Sequence, residues 1–148
     1  MKIKVLLFIL LISSSIYSQS IEPIQADRPD QTETPAIVPK GMFQVETGFT
    51  FQKNDAISKS FSLPSTLWKY GVNENFELRL ITEFLSEEIN NEKISGLAPI
   101  YVGFKVKLAE EKGIIPKTSF IGHISLPDAA WKEFKTEFFA PEFRFVMQ

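Results

Sequence analysis

The stretch Met42-Phe43-Gln44-Val45-Glu46-Thr47-Gly48-Phe49-Thr50-Phe51 alternates apolar and polar side chains at almost every step. The same alternation returns in Phe76–Leu80 and in Ile100–Leu108. A period of two places successive side chains on opposite faces of a β-strand. About six segments of this kind, each of roughly ten residues, follow one another after Gly41, with polar breaks between them. The pattern predicts an all-β protein whose strands have one apolar and one polar face.

The length of these segments indicates which environment the apolar face meets. A strand of about 9–11 residues is long enough to cross a bilayer at a tilt. We expect strands at 42–52, 61–72, 76–85, 97–108, 117–126 and from 137 onward, although Pro64 weakens the first half of the second. We expect long loops, roughly 8–11 residues, at Lys53–Lys59, Ser86–Ser95 and Pro127–Lys135, and short turns in between, a sorting typical of outer-membrane barrels. The sequence thus predicts an antiparallel, up-and-down transmembrane β-barrel.

The N-terminus has the pattern of a secretory signal peptide over residues 1–20. Lys2 and Lys4 precede the apolar run Val5–Ile12, and Ser13–Ser15 opens a small polar region. Eight apolar residues are too few for a helix that spans a membrane, so we expect cleavage, after Ser18 or after Ser20. An uncleaved membrane anchor is the alternative.

Composition excludes several classes of protein. The net charge is −2, and removing Lys2 and Lys4 makes it −4, which argues against a nucleic-acid-binding surface. The chain has no cysteine, which excludes a disulfide scaffold and a thiolate metal site. We expect no cofactor and no enzymatic activity. The expected partners are outer-membrane lipid and small-molecule solutes, with the oligomeric state left open.

The segment 21–40 precedes the strands and carries four prolines, at positions 23, 29, 35 and 39. Proline at this density blocks both a helix and a central strand, so we expect an extended lead-in. Asp27-Arg28-Pro29-Asp30 either folds inward as a plug that pairs with charges of the barrel or remains solvated. A disordered linker is the alternative for the whole segment.

The polar face of the predicted strands collects ionisable side chains that would line a lumen. Among them Lys69, Arg79, Lys105 and Arg144 form a basic set opposed by Glu77 and Glu142, which would tune the solutes that pass. Cross-strand pairs that specify nothing are the simpler interpretation. The predicted lumen-facing residues are Glu46, Lys69, Glu77, Arg79, Glu83, Lys105, Lys107, His123, Glu142 and Arg144.

Aromatic residues and the single histidine complete the candidates. Trp68, Tyr70 and Trp131 fit an aromatic girdle at the membrane interfaces, with ordinary strand packing as the alternative. His123 has no nucleophile motif around it. A metal site would need several ligands, and the chain offers one histidine and no cysteine. We expect His123 to be pore-facing or hydrogen-bonded.

The stretches Gln25–Pro35, Val38–Gly41, Phe43–Gly48, Tyr70–Val72 and Phe76–Arg79 carry a family resemblance. From about Gln25 to its end the chain resembles outer-membrane transporters of the phenol-degradation meta-pathway type, which are common in Bacteroidetes-like envelopes. The resemblance implies an outer-membrane β-barrel that passes small, aromatic solutes. Single-chain barrels start at about eight strands, so we expect residues 41–148 to be the N-terminal six strands of a longer barrel, with the second half of such a barrel absent.

Two functions from different classes fit these observations. The first is an outer-membrane channel, in which the apolar face meets lipid. The second is a secreted periplasmic β-sandwich or a lipocalin-like binder of small molecules, in which the apolar face is a core or a ligand cavity. The two differ in which face of the strands is covered.

Overall fold

Seven β-strands form one antiparallel sheet in a computed structural model that describes residues 24–27, 33–53, 58–89 and 92–148. The predicted signal peptide at 1–20 lies outside the described residues. Two 3-10 helices of three residues, Pro127–Ala129 and Lys132–Phe134, follow the sixth strand. The strands are β1 (Phe43–Lys53), β2 (Ser58–Asn73), β3 (Phe76–Ile89), β4 (Glu92–Leu97), β5 (Ile100–Ala109), β6 (Thr118–Leu126) and β7 (Pro141–Met147).

The strands follow the order of the chain across the sheet. The order is β1-β2-β3-β5-β6-β7, and β4 lies beside the second half of β3. Every neighbouring pair is antiparallel. The all-β, antiparallel, up-and-down prediction is therefore confirmed at the level of the sheet.

The predicted fourth strand, 97–108, is wrong as one continuous strand. β4 pairs with residues 84–89 of β3, and β5 pairs with residues 76–81 of the same strand. Ala98 and Pro99 lie between them, and the Ala98 N–H donates to the Glu83 carbonyl oxygen at 2.9 Å. Proline has no N–H to continue the ladder, so the strand breaks there and resumes in the same direction.

The predicted loop Ser86–Ser95 is also wrong, because most of it belongs to a β-hairpin. Ser86 lies opposite Ser95, and the Ser95 hydroxyl donates to the Ser86 hydroxyl at 2.9 Å. Glu88 lies opposite Lys93, a pair of unlike charges that stabilises the ladder. Apart from Ile89 and Ile94, the residues of this hairpin are polar, so the sequence has a loop-like composition although the backbone pairs as a strand.

Other strand boundaries also differ from the prediction. β1 reaches Lys53 and β2 begins at Ser58, which leaves a shorter connection than the predicted loop. β7 begins at Pro141, not near residue 137. Of the three predicted long loops, only the connection after β6, residues 127–140, is long, and it exceeds the predicted loop Pro127–Lys135. The expected sorting of long and short connections is therefore wrong for the first two long loops.

Pro64 is accommodated inside β2 by a shift of register. The pairing with β1 skips between Ser62 and Ser65, and the pairing with β3 skips at the same place. A β-bulge lets a residue without an N–H stay in a strand. β2 therefore continues through the proline.

The two faces of the sheet have the opposite environments to those of a water-soluble protein. On the apolar face Phe43, Phe49 and Phe143 are 60%, 70% and 66% exposed. On the polar face Glu77 and Lys105 are fully buried. Charged side chains are almost never fully buried unless they are paired, so the polar face requires both a cover and partners.

The cover is the N-terminal segment, described at residues 24–27 and 33–40 and called the lead-in below. Asp27, Pro35 and Val38 of the lead-in are buried against the sheet. None of the helices in the described ranges is long and apolar enough to span a membrane.

Candidate functional site: a buried cation triad

Three cationic side chains from three neighbouring strands meet at the centre of the polar face. Lys69 of β2 lies directly opposite Arg79 of β3, and Lys105 of β5 lies directly opposite Glu77 of β3. Because Glu77 and Arg79 are two residues apart, both point to the same face. Pairing register alone therefore brings Lys69, Arg79 and Lys105, the cation triad, close together.

Asp27 of the lead-in neutralises the triad. Its Oδ2 atom lies 3.2 Å from Lys69 Nζ, 3.2 Å from Arg79 Nη1 and 3.1 Å from Lys105 Nζ. Its Oδ1 atom accepts hydrogen bonds from the backbone N–H and the hydroxyl of Thr34, at 3.0 and 3.3 Å. One carboxylate oxygen thus binds the sheet and the other binds the lead-in itself.

The electrostatic effect on Asp27 follows from this geometry. Burial of the carboxyl group by itself raises its pKa, since the charged form loses hydration. The charges of Lys105, Arg79 and Lys69 and the Thr34 N–H outweigh that effect and lower the pKa of Asp27 from 3.8 to about 2. Asp27 is therefore ionised at every pH above about 3.

Two acidic residues of the sheet complete the network. Glu46 of β1 binds Lys69 Nζ at 2.5 Å and also accepts the Asp27 backbone N–H at 2.9 Å. Glu77 accepts the Val38 backbone N–H at 2.8 Å and lies 3.6 Å from Arg79 Nη1. Each carboxylate balances a cation of the sheet and also holds the lead-in.

Polar groups of the sheet bind the backbone of the lead-in at further points. Lys105 Nζ donates to the carbonyl oxygens of Thr34, at 2.9 Å, and of Ala36, at 3.2 Å. The Ser119 hydroxyl of β6 donates to the Pro35 carbonyl oxygen at 2.5 Å. These bonds satisfy backbone groups that would otherwise be buried without partners, so the lead-in is docked by side chains and not as an added strand.

Gly71 lets the lead-in approach the sheet. A Cβ atom at this position would lie 2.2 Å from the Val38 carbonyl oxygen and 2.3 Å from that of Pro39. The chain then turns at Pro39–Met42 with Gly41 at φ +75°, and the Met42 N–H donates to the Pro39 oxygen at 3.0 Å. The Gly41 N–H donates to the Gly71 carbonyl oxygen at 2.7 Å, and the Gly71 N–H donates to the Met42 carbonyl oxygen at 3.0 Å. Gly71 therefore fixes where the lead-in enters β1.

A second ion-pair group lies toward the edge strand β7. Glu33 of the lead-in binds Arg144 Nη1 at 2.9 Å and lies 3.5 Å from Arg79 Nη2. Arg144 also pairs with Glu142. Glu33 therefore links the triad to Arg144, whereas Glu142 pairs at the edge and does not oppose the triad as the sequence suggested.

The remaining predicted lumen residues are separate from the triad. Glu83 accepts a hydrogen bond from Ser62, farther along β3. Lys107 pairs with Glu110 at 2.5 Å at the end of β5. His123 is 4% exposed, lies opposite Gly103, and neither of its ring nitrogens has a hydrogen-bond partner among the described residues. All of them lie on the polar face; their role in a lumen stays a prediction.

The three girdle candidates lie at different heights along the strands. Tyr70 is opposite Leu78 and 43% exposed, while Trp131 packs edge-on against Phe84, with ring centroids 6.0 Å apart. Leu78 and Phe84 are six residues apart on β3, about 20 Å at ~3.3 Å per residue. Trp68 lies between these levels and donates its indole N–H to Thr82 at 3.0 Å. The girdle itself stays a prediction.

A cavity of about 950 Å³ opens beside the triad. Asp27, Glu33 and Arg79 form one side of it, and hydroxyl groups of β1 and β2 form another. Its described lining is Asp27, Glu33, Thr50, Gln52, Ser60, Ser62, Ser65, Leu67, Arg79, Ile81, Glu83, Leu85, Arg144, Phe145, Val146 and Met147. The space is large enough for a small organic solute, since ligand pockets typically measure about 300–1,000 Å³.

Sequence reasoning missed Glu33, Gly71 and Ser119 and left Asp27 between two alternatives. In the structure Asp27 points inward and pairs with charges of the sheet. Arg28, Pro29 and Asp30 lie outside the described residues. The sequence did carry a signal for the inward placement of Asp27. The predicted basic set has four cations and is opposed by only two acidic residues, so a further acidic side chain was needed to balance it. Among the described residues no group of three or more histidine, cysteine or acidic side chains is arranged to hold a metal ion.

The fold and the site define an antiparallel, up-and-down β-sheet protein with a covered, charged face and an exposed, apolar one. The family model described as "Putative MetA-pathway of phenol degradation" matches residues 26–146, and the chain belongs to this family. The matched range begins one residue before Asp27 and includes every residue of the triad. No curated protein and no solved structure matches the chain.

Proposed function

We propose that this protein is an outer-membrane β-barrel that passes small solutes, aromatic ones among them, and that it is not an enzyme. The observation that carries the proposal is the reversed polarity of the sheet. Exposed phenylalanine side chains cover one face, and buried ion pairs occupy the other. A lipid-facing barrel wall needs this arrangement, with apolar groups outward and polar groups toward the lumen.

Strand length and hydrogen bonding support a membrane location. β1, β5 and β6 have 11, 10 and 9 residues. A tilted strand needs about 9–11 residues to cross a bilayer. In lipid the backbone must be hydrogen-bonded throughout, and only closed barrels achieve this with strands. The edge strands β1 and β7 each need a pairing partner in such a barrel, so closure of the sheet is part of the proposal.

The family description supports the choice of solute. Its printed name refers to phenol degradation, and small aromatic compounds are the matching class. The proposed path runs along the polar face, past Lys69, Arg79, Lys105 and the hydroxyl groups of the cavity. On this path the protein binds and releases solutes without changing them.

Envelope fractionation tests the proposal directly. The protein is expressed with its N-terminal sequence, and the outer-membrane fraction is run on SDS gels without and with heating. We expect a band in this fraction whose mobility changes on heating, as closed barrels show, followed by solute flux in liposomes. A soluble periplasmic band without a heat shift would favour the secreted small-molecule binder.

A pair of matched substitutions tests whether the apolar face contacts lipid. Ile124 lies on β6 and is 39% exposed, whereas Ile114 lies in the β5–β6 turn and is fully exposed. In a lipid-facing position, Ile124→Lys should lower the free energy of unfolding in vesicles by about 2–4 kcal/mol. Ile114→Lys should leave it within about 0.5 kcal/mol of the wild type. Equal, small effects of the two would refute lipid contact.

A further inference from the structure

We propose that the cation triad is a binding site for small carboxylate anions, which Asp27 occupies while the lead-in is docked. A carboxylate solute that takes the place of Asp27 releases the lead-in from the polar face. The inference rests on the proposed function only in that a transported solute reaches the triad along that face. It deepens the proposal by naming the chemical class that the site recognises.

The charges of the sheet leave one cation for an external anion. Lys69, Arg79 and Lys105 contribute +3, and Glu46 and Glu77 contribute −2, so the sheet retains +1. The lead-in supplies the missing −1 through Asp27, and its Glu33 also lies 3.5 Å from Arg79 while it pairs with Arg144. An isolated buried charge is strongly unfavourable, so the triad needs an anion whether or not the lead-in provides it.

The bound carboxylate of Asp27 does not use all the donors of the site. Arg79 is 4% exposed, and its Nε has no hydrogen-bond partner among the described residues, while its Nη1 meets Asp27 Oδ2 at 3.2 Å as an ion pair without hydrogen-bond geometry. Arg79 also lines the cavity of about 950 Å³. Guanidinium groups bind carboxylates with two parallel hydrogen bonds, a geometry that the single Asp27 oxygen facing the sheet does not provide. A free carboxylate is not held by a backbone and can approach Arg79 in that way.

Asp27 can be displaced because only non-covalent contacts hold its side chain on the sheet. It is connected to the sheet through the chain that leads into β1 and is held by ion pairs and hydrogen bonds alone. A group on a short tether has an effective concentration of millimolar order. A solute carboxylate displaces Asp27 once its concentration exceeds this value by the factor that the remaining bonds of the lead-in, to Lys105, Ser119 and Glu77, contribute.

Protons are poor triggers for the same release. The three cations lower the pKa of Asp27 to about 2, so its carboxylate remains charged in any envelope environment. The geometry of the site, with the unbonded Nε of Arg79 on a side chain that lines the cavity, points to a competing anion.

The first experiment measures formate binding after Asp27→Ala, because formate supplies the atoms that this substitution deletes. Urea unfolding of the protein refolded in detergent is followed by tryptophan fluorescence in sodium formate and in sodium chloride of equal ionic strength. A ligand that binds only the folded state raises stability with its concentration. We expect half-saturation at a formate concentration at least tenfold lower for Asp27→Ala than for Asp27→Asn, whose amide fills the same space without charge.

The second experiment uses the wild-type cation triad and does not depend on a variant at Asp27. Because the chain has no cysteine, Ala26→Cys places one spin label on the exposed side chain next to Asp27. We expect formate to increase the mobile fraction of the spectrum, and sodium chloride of equal ionic strength to leave it unchanged.

The outcomes separate this inference from the proposed function. No formate effect on Asp27→Ala beyond that on Asp27→Asn would overturn the anion site. If formate at concentrations up to ~100-fold above the millimolar effective concentration of the tether does not increase the mobile fraction of the spectrum more than sodium chloride does, the displacement of Asp27 is overturned. Both readouts are independent of flux, so a protein that binds formate and conducts nothing upholds the site and refutes only the channel.

Discussion

Asp27→Asn is expected to loosen the lead-in without unfolding the sheet. The substitution preserves a carbonyl oxygen for the Thr34 N–H and hydroxyl, which Asp27 Oδ1 binds at 3.0 and 3.3 Å. It replaces the other oxygen with an amide nitrogen that faces three cations within about 3.2 Å of that position. The variant therefore removes the attraction to the sheet and leaves the local turn of the lead-in intact.

The magnitude follows from the pKa of Asp27. The network lowers this pKa from 3.8 to about 2, and a tenfold change in proton affinity corresponds to about 1.4 kcal/mol. Ionised Asp27 therefore stabilises the docked lead-in by about 2 kcal/mol more than a neutral side chain of the same shape. A loss of about 2 kcal/mol raises the population of the released state roughly 30-fold.

Hydrogen exchange of the Val38 amide measures this population. Val38 is 4% exposed, and its N–H donates to the Glu77 side chain at 2.8 Å, not to a neighbouring strand. The amide exchanges when the lead-in leaves, even while the sheet stays folded. We expect exchange to be roughly 30-fold faster in Asp27→Asn, with amides of β5 unchanged.

The control is Asp128→Asn, which breaks an exposed pair with Lys135 at 3.2 Å. Exposed pairs contribute little, so Val38 should exchange as in the wild type. If the Val38 amide of Asp27→Asn also exchanges within threefold of the wild-type rate, the ion pairs of Asp27 do not hold the lead-in. The lead-in would then be held by its backbone bonds and not by the ion pairs.

Three further predictions concern the same interface. Gly71→Ala should release the lead-in, because its Cβ would lie 2.2 Å from the Val38 carbonyl oxygen; Gly48→Ala, with nothing within 4 Å, should not, as exchange of the Val38 amide will show. Acidification should leave the docked lead-in unaffected from neutral pH down to about 4 and release it as the pH falls from 3.8 toward 2, since a lowered pKa of Asp27 contributes stability only above that range; the mobility of a label at residue 26 reports the midpoint. Gly103→Ala should destabilise the sheet by about 1–3 kcal/mol or more in urea unfolding, because its Cβ would lie 2.3 Å from the Gly122 carbonyl oxygen.

The alternation of side chains was sufficient to predict the sheet and the composition of its faces. Phe43, Val45 and Phe49 share the apolar face, and Lys69, Arg79 and Lys105 share the polar face, because side-chain direction in a strand depends only on parity. The positions of the triad residues follow from the same rule. Parity is a local property, so a single sequence carries it fully.

Strand ends were harder to predict because their composition is ambiguous. The hairpin formed by Ser86–Ile89 and Glu92–Ser95 is rich in charge and hydroxyl groups, which is also the composition of loops. The break at Ala98-Pro99 had a local signal in Pro99, which cannot donate to the ladder. The return of the strand beside β3 also depends on the Ala98 N–H bond to Glu83, fifteen positions earlier, which no short window shows.

The docking of the lead-in could not be predicted, because it depends on contacts between distant parts of the chain. Asp27 meets Lys69 and Lys105 across 42 and 78 positions. A proline-rich acidic segment favours neither inward nor solvated placement by itself. Only the register of three strands, taken together, creates the cationic surface that attracts it.

The distance between these contacts also determines when the site forms during folding. Asp27 is among the first described residues, yet its binding surface exists only after β2, β3 and β5 have paired, and Ser119, 84 positions from Pro35, belongs to β6. Contacts of large sequence separation form slowly, since the intervening chain must first be ordered. The lead-in therefore docks after β2, β3, β5 and β6 have paired, so its docking indicates that these strands have been assembled in the correct register.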